Sequence, residues 1–397
     1  MKTVFLCNVN KYCARVSTGD AGTSACYREP VCARLRSVTT RRTGKGAGRT
    51  LRMGPKPVSL KELAERLGLS PATVSLVINR SHVADSIPQE TQDRIFAAAE
   101  KYKYRPSFFA RSLRAQRSFT IGVMVPEVSD GYSASVMSGV EDHLLQEGYF
   151  YFVVSHRHRA DLIDEYPRLF LERSVDGLIA VDTPWTLALS VPVVTVSGHN
   201  QVKGVTNIVL DHVRAAEVAL KHLAQLGHRE IAFIKGQEFS SDTEVRWANI
   251  EKAARQLGIP ISPALVSQLK GDSPSPELGY EATRKLMASH KPFTALFAFN
   301  DISAMGAIRA LREAKLRVPD DVSVVGFDDI QSAAYQNPAL TTVRQPLREM
   351  GRIAAETLLR RIRRSGSDSH GGEIMVEPKL IVRETTCSAT IGVRRLM

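Results

Sequence analysis

The chain has 397 residues, 43% hydrophobic and 24% charged, enough for two or three folded units, with a formal net charge of +12. Residues 1–52 carry 11 basic and 2 acidic side chains, a net of +9, residues 53–117 a net of +5, and residues 118–397 a net of −2. The basic character therefore belongs to the amino-terminal third, as contact with a polyanion there would require, and the remainder has a different task. No run approaches the ~18 apolar residues that span a bilayer, and MKTVFLCNVNKYCARVS has too short an apolar segment for an export signal. The expectation is a cytoplasmic protein with no membrane partner.

Residues 1–52 read as a basic, disordered extension. Cys7, Cys13, Cys26 and Cys32 are spaced C-x5-C-x12-C-x5-C, whereas structural zinc sites take closer pairs, and no histidine accompanies them. Disulfides do not persist in a reducing cytoplasm. The glycines of TGKGAGRT lack phosphate-loop spacing, and no strand pattern precedes them. A DNA-contacting arm, a metal site and an upstream start codon before Met53 remain as alternative readings of this extension.

The first orderly pattern is LKELAERLGLSPATVSLVIN, Leu60 to Asn79. Leu60, Leu63, Ala64 and Leu67 follow the i, i+3, i+4, i+7 spacing of one helical face. Gly68 ends that helix, and Ser70-Pro71 supplies an N-cap and a proline at the first position of a second. The second helix buries Val74, Val77 and Ile78 and turns Pro71, Ala72, Thr73, Ser75, Leu76 and Asn79 outward. This is the layout of a helix-turn-helix, although any αα-hairpin can share it. Beyond it, Pro88 opens a third helix with Ile95, Ala98, Ala99 and Tyr102 on one face, stopped by Arg105-Pro106. The segment SFFARSLRAQRS then leads to the apolar strand IGVMVP.

From Thr120 onward, short runs rich in Val, Ile and Phe alternate with helical stretches: IGVMVP, YFVVS, GLIAV, VPVVTV, EIAFI, ALFAF and VSVVGF. That is a parallel α/β pattern with strands buried on both faces, whose ligands bind beyond the strand carboxyl ends. Tyr132, Trp185, Asn300-Asp301 and Asp328-Asp329 fall there, Asp301 being placed to cap the helix DISAMGAIRAL.

The ordered stretches VSLKELAERLGLSPATVSLVIN, YRPSFFARSLR, IGVMVP, HLAQLGHREIAFI, LFAFNDISAMGAIRAL, VPDDVSVVGFDDI and NPALTTVRQP resemble the LacI/GalR family of bacterial transcription regulators, from about Pro57 to about Thr386. The resemblance implies an α/β protein: a three-helix helix-turn-helix domain at 57–105, a hinge helix or linker at 106–117, and a two-lobed, periplasmic-binding-protein-like core for effector binding and dimerisation at 118–390. By the same resemblance Ser59, Ser70, Thr73, Ser75, Asn79 and His82 match phosphate-holding or helix-capping positions, which fix register. Pro71, Ala72 and Leu76 match base-reading positions. Leucine cannot make the bidentate bond to guanine that arginine makes, so Leu76 implies apolar contact such as with a thymine methyl. Leu113 matches a minor-groove wedge and Arg114 its basic neighbour. Arg246, Asn300, Asp328 and Gln345 match groups that hydrogen-bond the effector, with Tyr132 packing on it, although Asn249 stands where many members have glycine.

The function so implied is that of a sequence-specific repressor. It binds a pseudo-palindromic double-stranded DNA operator as a homodimer and is modulated by a sugar-like small molecule. No cofactor, resident metal or catalytic residue is expected. A solute-binding protein of a transporter has no use for a helix-turn-helix. A sugar-active enzyme would need a phosphate loop, a nucleophile elbow or a metal-spaced His/Cys cluster, and no such motif stands in the core sequence.

Overall fold

The computed structural model describes residues 58–104, 112, 117–272, 275–364 and 371–389, so the extension 1–52 and the pair Leu113 and Arg114 lie outside the described residues. All the architecture below belongs to one compact unit, Ser59–Met397.

Three helices come first: α1 (Leu60–Leu67), α2 (Pro71–Ile78) and α3 (Gln89–Lys101), with a short 3-10 helix His82–Ser86 before α3. Ser59 caps α1 in a capping box, its Oγ accepting from Glu62 N at 3.2 Å while Ser59 N donates to Glu62 Oε2 at 2.7 Å. Gly68, at φ 67°, ends α1 in the left-handed region where a Cβ is penalised. Ser70 Oγ caps α2 through Thr73 N. Leu63, Val74 and Ile95, one from each helix, are fully buried and form the small core. Ser75 is a correction to the outward-facing set, because it is buried and its Oγ accepts from Asn79 Nδ2 at 3.2 Å. A helix packed against both α1 and α3 buries a wider arc than one apolar stripe. The third helix also stops earlier than the proline implies, with Tyr102 as its C-cap and Lys103 at φ 48°.

The core is two six-stranded sheets. Its strands are β1 (Thr120–Val125), β2 (Phe150–Ser155), β3 (Gly177–Val181), β4 (Val193–Val196), β5 (Val205–Leu210), β6 (Ile231–Lys235), β7 (Val266–Gln268), β8 (Ala295–Phe297), β9 (Ser323–Asp328), β10 (Thr341–Arg344), β11 (Glu373–Val376) and β12 (Lys379–Ile381). Its helices are α4 (Gly131–Gln146), α5 (Ala160–Glu172), α6 (His212–Gln225), α7 (Asp242–Gln256), α8 (Pro276–Ala288), α9 (Asp301–Glu313) and α10 (Leu347–Arg363). Lobe one has the strand order β11-β5-β4-β3-β1-β2, entirely parallel. Lobe two has the order β12-β10-β9-β8-β6-β7, parallel except for the antiparallel edge pair β10/β12. The backbone passes between lobes after β5, after β10 and after β11. β1, β3, β4, β5 and β9 are buried along their whole length, as expected of parallel strands covered on both faces.

Each lobe is braced by one helix pair in glycine contact. A Cβ at Gly139 of α4 would lie 1.8 Å from Arg348 O, and one at Gly351 of α10 would lie 2.0 Å from Val136 O. In lobe two, Cβ atoms at Gly279 of α8 and Gly306 of α9 would lie 2.1 Å from Ser303 O and 1.8 Å from Pro276 O. Backbones this close leave no room for a methyl group, and overpacking of this kind costs about 1–3 kcal/mol. Gly351→Ala is therefore expected to lower the urea midpoint by a stability loss of about that size with an unchanged slope. An unshifted midpoint would show that α4 and α10 separate freely.

Candidate effector cleft and DNA-binding face

The carboxyl ends of β1, β3, β6, β8 and β9 converge on a cleft of about 80 Å³ lined by both lobes. From lobe one come Asp130, Tyr132, His158 and Asp182, and from lobe two Phe239, Asp242, Arg246, Phe299, Asn300 and Asp328. Small-molecule pockets run to about 300 Å³ and more, so this conformation is a closed one. The lobes are tied across it. Asp182 accepts from Ser241 N at 3.1 Å and Ser241 Oγ at 2.7 Å, and Ser241 Oγ also reaches Ser197 O. His158 stacks on Phe239 with ring centroids 3.8 Å apart.

Arg246, on the first turns of α7, is 4% exposed. Its Nη2 donates to Asp242 Oδ2 at 2.8 Å and its Nη1 to Phe299 O at 2.6 Å, while the guanidinium lies over the rings of Phe327 and Phe299 at 3.8 and 4.4 Å. Its Nε is buried without a hydrogen-bond partner among the described residues. Asp242 is four residues earlier on the same helix face and also receives His199 Nε2 at 2.7 Å. Burial alone would raise the Asp242 carboxyl, but His212, His199 and Arg246 outweigh it and hold the group well below the usual range. Asp328 behaves oppositely: burial pushes it well above the ordinary value although Arg246 pulls it down, and nearby Asp301 adds to the rise. Asp182 is pushed up to about 6 by burial and by Asp242, against the hydrogen bonds of Ser241 and Ser240. Asp328 and Asp182 also sit at φ 106° and 39°, a backbone region costly for residues with a Cβ.

Of the expected effector residues, Tyr132, Arg246, Asn300 and Asp328 line this cleft. The Tyr132 hydroxyl shares a hydrogen bond with Ser197 Oγ at 2.6 Å. Asn300 spends its side-chain oxygen capping α9, accepting from Ser303 N at 2.9 Å. Gln345 is buried outside the cleft lining and acts through its neighbour, donating Nε2 to Asp328 Oδ1 at 2.7 Å. Two strand-end residues are corrected. Trp185 packs inside lobe one with its Nε1 donating to Leu187 O, and Asp301 is not the cap of α9 but a buried tie, accepting from Ile330 N and Thr342 Oγ1 at 2.9 and 2.6 Å. Asp329 turns away from the cleft, to Arg344 and Arg383. Sequence reasoning missed Asp182, Asp242, His158, His199 and Phe239. Only Asp242 had a local signal, its i, i+4 spacing to Arg246.

On the DNA side, Ser59, Ser70, Pro71, Ala72, Asn79 and His82 are exposed, and Thr73 and Leu76 half-buried. The Ser70 and Thr73 hydroxyls pair at 2.8 Å.

Residues 59–107 match the family model described as bacterial regulatory proteins, lacI family, and residues 220–386 a periplasmic binding protein-like domain. The HTH-type transcriptional repressor PurR of Haemophilus influenzae is 32% identical over 340 residues, covering 83% of this chain and 99% of the relative. The chain belongs to the LacI family. LacI-family neighbours share its architecture. The lac repressor dimer bound to operator and the anti-inducer ONPF matches with a TM-score of 0.71 at 26% identity, covering 84% of this chain and 100% of that one. The regulator CelR in complex with cellobiose gives a TM-score of 0.62 at 27% identity, with coverages of 82% and 99%. As a LacI-family member the protein is a DNA-binding transcription regulator with a small-molecule-binding core, and not an enzyme.

The raised Asp182 has a pH consequence with a definite sign. The folded chain keeps this proton up to about pH 6, whereas an unfolded chain releases it near the ordinary carboxylate value of 3.8. The associated stability is present below that lower value and is lost as pH rises through 6. Asp182→Asn removes the titration while keeping an acceptor for Ser241. Urea titrations between pH 4 and 7.5 should show the variant gaining on the wild type as pH rises, and a difference constant with pH would contradict the buried carboxylate.

Proposed function

We propose that this protein is a cytoplasmic repressor that binds a pseudo-palindromic operator as a homodimer and takes a neutral, polyhydroxylated effector of the sugar class between its lobes. The observation that carries the effector reading is that Arg246, whose buried Nε has no hydrogen-bond partner among the described residues, lines the same cleft as the carboxyl groups of Asp328 and Asp182. A donor and several carboxyl groups lining one cleft form a set that paired hydroxyls answer, since each hydroxyl both gives and accepts a hydrogen bond. Charge selects among ligands of that shape. With burial holding Asp328 toward its neutral form, Glu127, Asp130, Asp182, Asp242 and Asp272 still line the cleft against one arginine, so a phosphorylated sugar or an organic acid would meet an excess of like charge. The structure of CelR with cellobiose supports the same ligand class. Lobe closure changes with effector, and effector and operator affinities are then reciprocally coupled.

Self-association is supported by the edge strand β2, where Phe150 and Phe152 are 59% and 40% exposed and lie edge to face at 5.4 Å. A two-fold dimer also presents two helix-turn-helix units to the two halves of a palindrome. On this reading Thr73, Asn79 and His82 contact phosphates, Pro71, Ala72 and Leu76 read bases, and Leu113 and Arg114 enter the minor groove.

A calorimetric panel of neutral sugars, sugar phosphates and purines tests the effector. A neutral sugar is expected to bind, and Arg246→Ala to weaken it about 10- to 100-fold, the loss of one or two charge-assisted hydrogen bonds. Binding by a sugar phosphate alone would overturn the neutral-ligand reading. For the DNA side, selection from a randomised palindrome should show Leu76→Arg shifting one position of each half-site toward guanine by about 1–3 kcal/mol of discrimination. Thr73→Ala should weaken all sequences alike. A Leu76→Arg variant with unchanged base preference would remove Leu76 from the base-reading set.

A further inference from the structure

His199, His212 and Asp242 reach one point from three parts of the fold. His199 follows β4 in lobe one, His212 is the first residue of α6 where the chain leaves that lobe, and Asp242 opens α7 in lobe two. One ligand atom from each lies within 4.8 Å of the other two. Asp242 Oδ1 accepts from His199 Nε2 at 2.7 Å and lies 3.4 Å from His212 Nε2. Edges of about 3.3–3.4 Å are what a tetrahedral ion with bonds of about 2.0–2.1 Å requires, so the His212 edge already fits and the His199 edge has to lengthen.

The second observation is the state of His212. Its side chain is 3% exposed, Nδ1 has no hydrogen-bond partner among the described residues, and Nε2 meets the Asp242 carboxylate at 3.4 Å in an ion-pair contact that falls short of hydrogen-bond geometry. A buried imidazole with one unpartnered nitrogen and one loosely paired nitrogen is costly, and a cation between Nε2 and Oδ1 would take the place of the proton that otherwise lies between them. The carboxylate is already oriented for such a role: its Oδ2 is held by Arg246 Nη2 at 2.8 Å, leaving Oδ1 for the histidines.

We propose that His199, His212 and Asp242 bind one divalent late transition-metal ion, of the zinc, nickel or cobalt class, as a clasp between the lobes. Two imidazoles and one carboxylate suit such ions and disfavour magnesium and calcium, which take oxygen ligands. The ion joins lobe one to α7 and so favours the closed cleft. Its consequence for the operator rests on the effector reading above, in which lobe closure is coupled to DNA affinity.

The test titrates Co²⁺ alone into the full-length protein. Nitrogen and oxygen ligation gives weak visible bands, whereas the thiolates of Cys7, Cys13, Cys26, Cys32 and Cys387 would give an intense near-ultraviolet band. The wild type is expected to show the visible bands, His199→Gln and His212→Asn to lose them, and His222→Gln, whose Nε2 bonds Thr386, to keep them. Identical visible titrations for the wild type and His199→Gln, or a thiolate band alone, would overturn the site. Should His212→Asn fail to fold, the partly exposed His199 carries the comparison. Zn²⁺ should then change operator affinity on the order of tenfold in the wild type and not in His199→Gln. Co²⁺ bound without any such change overturns the regulatory role alone, and a sugar panel without a hit leaves the metal titration standing, so the two readings fail separately.

Discussion

The buried pair between Asp242 and Arg246 is the interaction on which the arrangement of the cleft depends. Both side chains are about 5% exposed, and a charge taken that far from water must be matched or it destabilises the fold. Asp242 is matched by Arg246 from its own helix and by His199 from the opposite lobe, so one carboxylate serves as both a helix-internal partner and an interlobe contact. Removing either member of a buried pair typically costs about 3–5 kcal/mol, because the survivor is left uncompensated. The guanidinium is further held by the faces of Phe299 and Phe327, which fix its plane at the mouth of β8 and β9.

Around that pair the two lobes solve the same packing problem twice. Each has a largely parallel sheet whose central strands are buried on both faces, and each has one helix pair crossing on glycines so that backbones touch. Rigid lobes joined by three strand crossings move as units, so a ligand between them acts on the angle between bodies and not on the bodies themselves. The carboxylates at the strand ends are kept in unfavourable states, with Asp328 and Asp182 both raised by burial and both at positive φ. In the proposed reading, a ligand that gives hydrogen bonds to them would relieve part of that cost when the cleft closes over it, turning binding energy into closure.

The helix-turn-helix shows a division of labour of another kind. Ser59 and Ser70 hold the first turns of α1 and α2, and a cap of this type is worth about 1 kcal/mol to a helix of only eight residues. Ser75 and Asn79 bond to each other within the domain, so the outer face of α2 is narrower than its polar residues imply, and Pro71, Ala72 and Leu76 are left as its small and apolar surface.

Much of this was legible in the sequence because it is local. Caps, the glycine stop, the 3.6-residue period of α1 and the apolar runs of β1, β3, β4 and β9 each depend on neighbours within a turn or a strand, and they placed the first helices and the strand ends in order. Arg246 and Asp328 were identifiable through motif resemblance. β5 was not, since VTNIVL is interrupted by Thr206 and Asn207, and the short strands β7, β10, β11 and β12 have too few residues for any period to show. Only the tertiary structure decided that Trp185 is core, that Gln345 supports Asp328, that Asp301 ties three segments together, and that His199, His212 and Asp242 meet. Those residues are brought together by chain crossings between lobes, and a contact between positions 43 residues apart, such as His199 with Asp242, leaves no periodicity in the sequence for either partner to reveal.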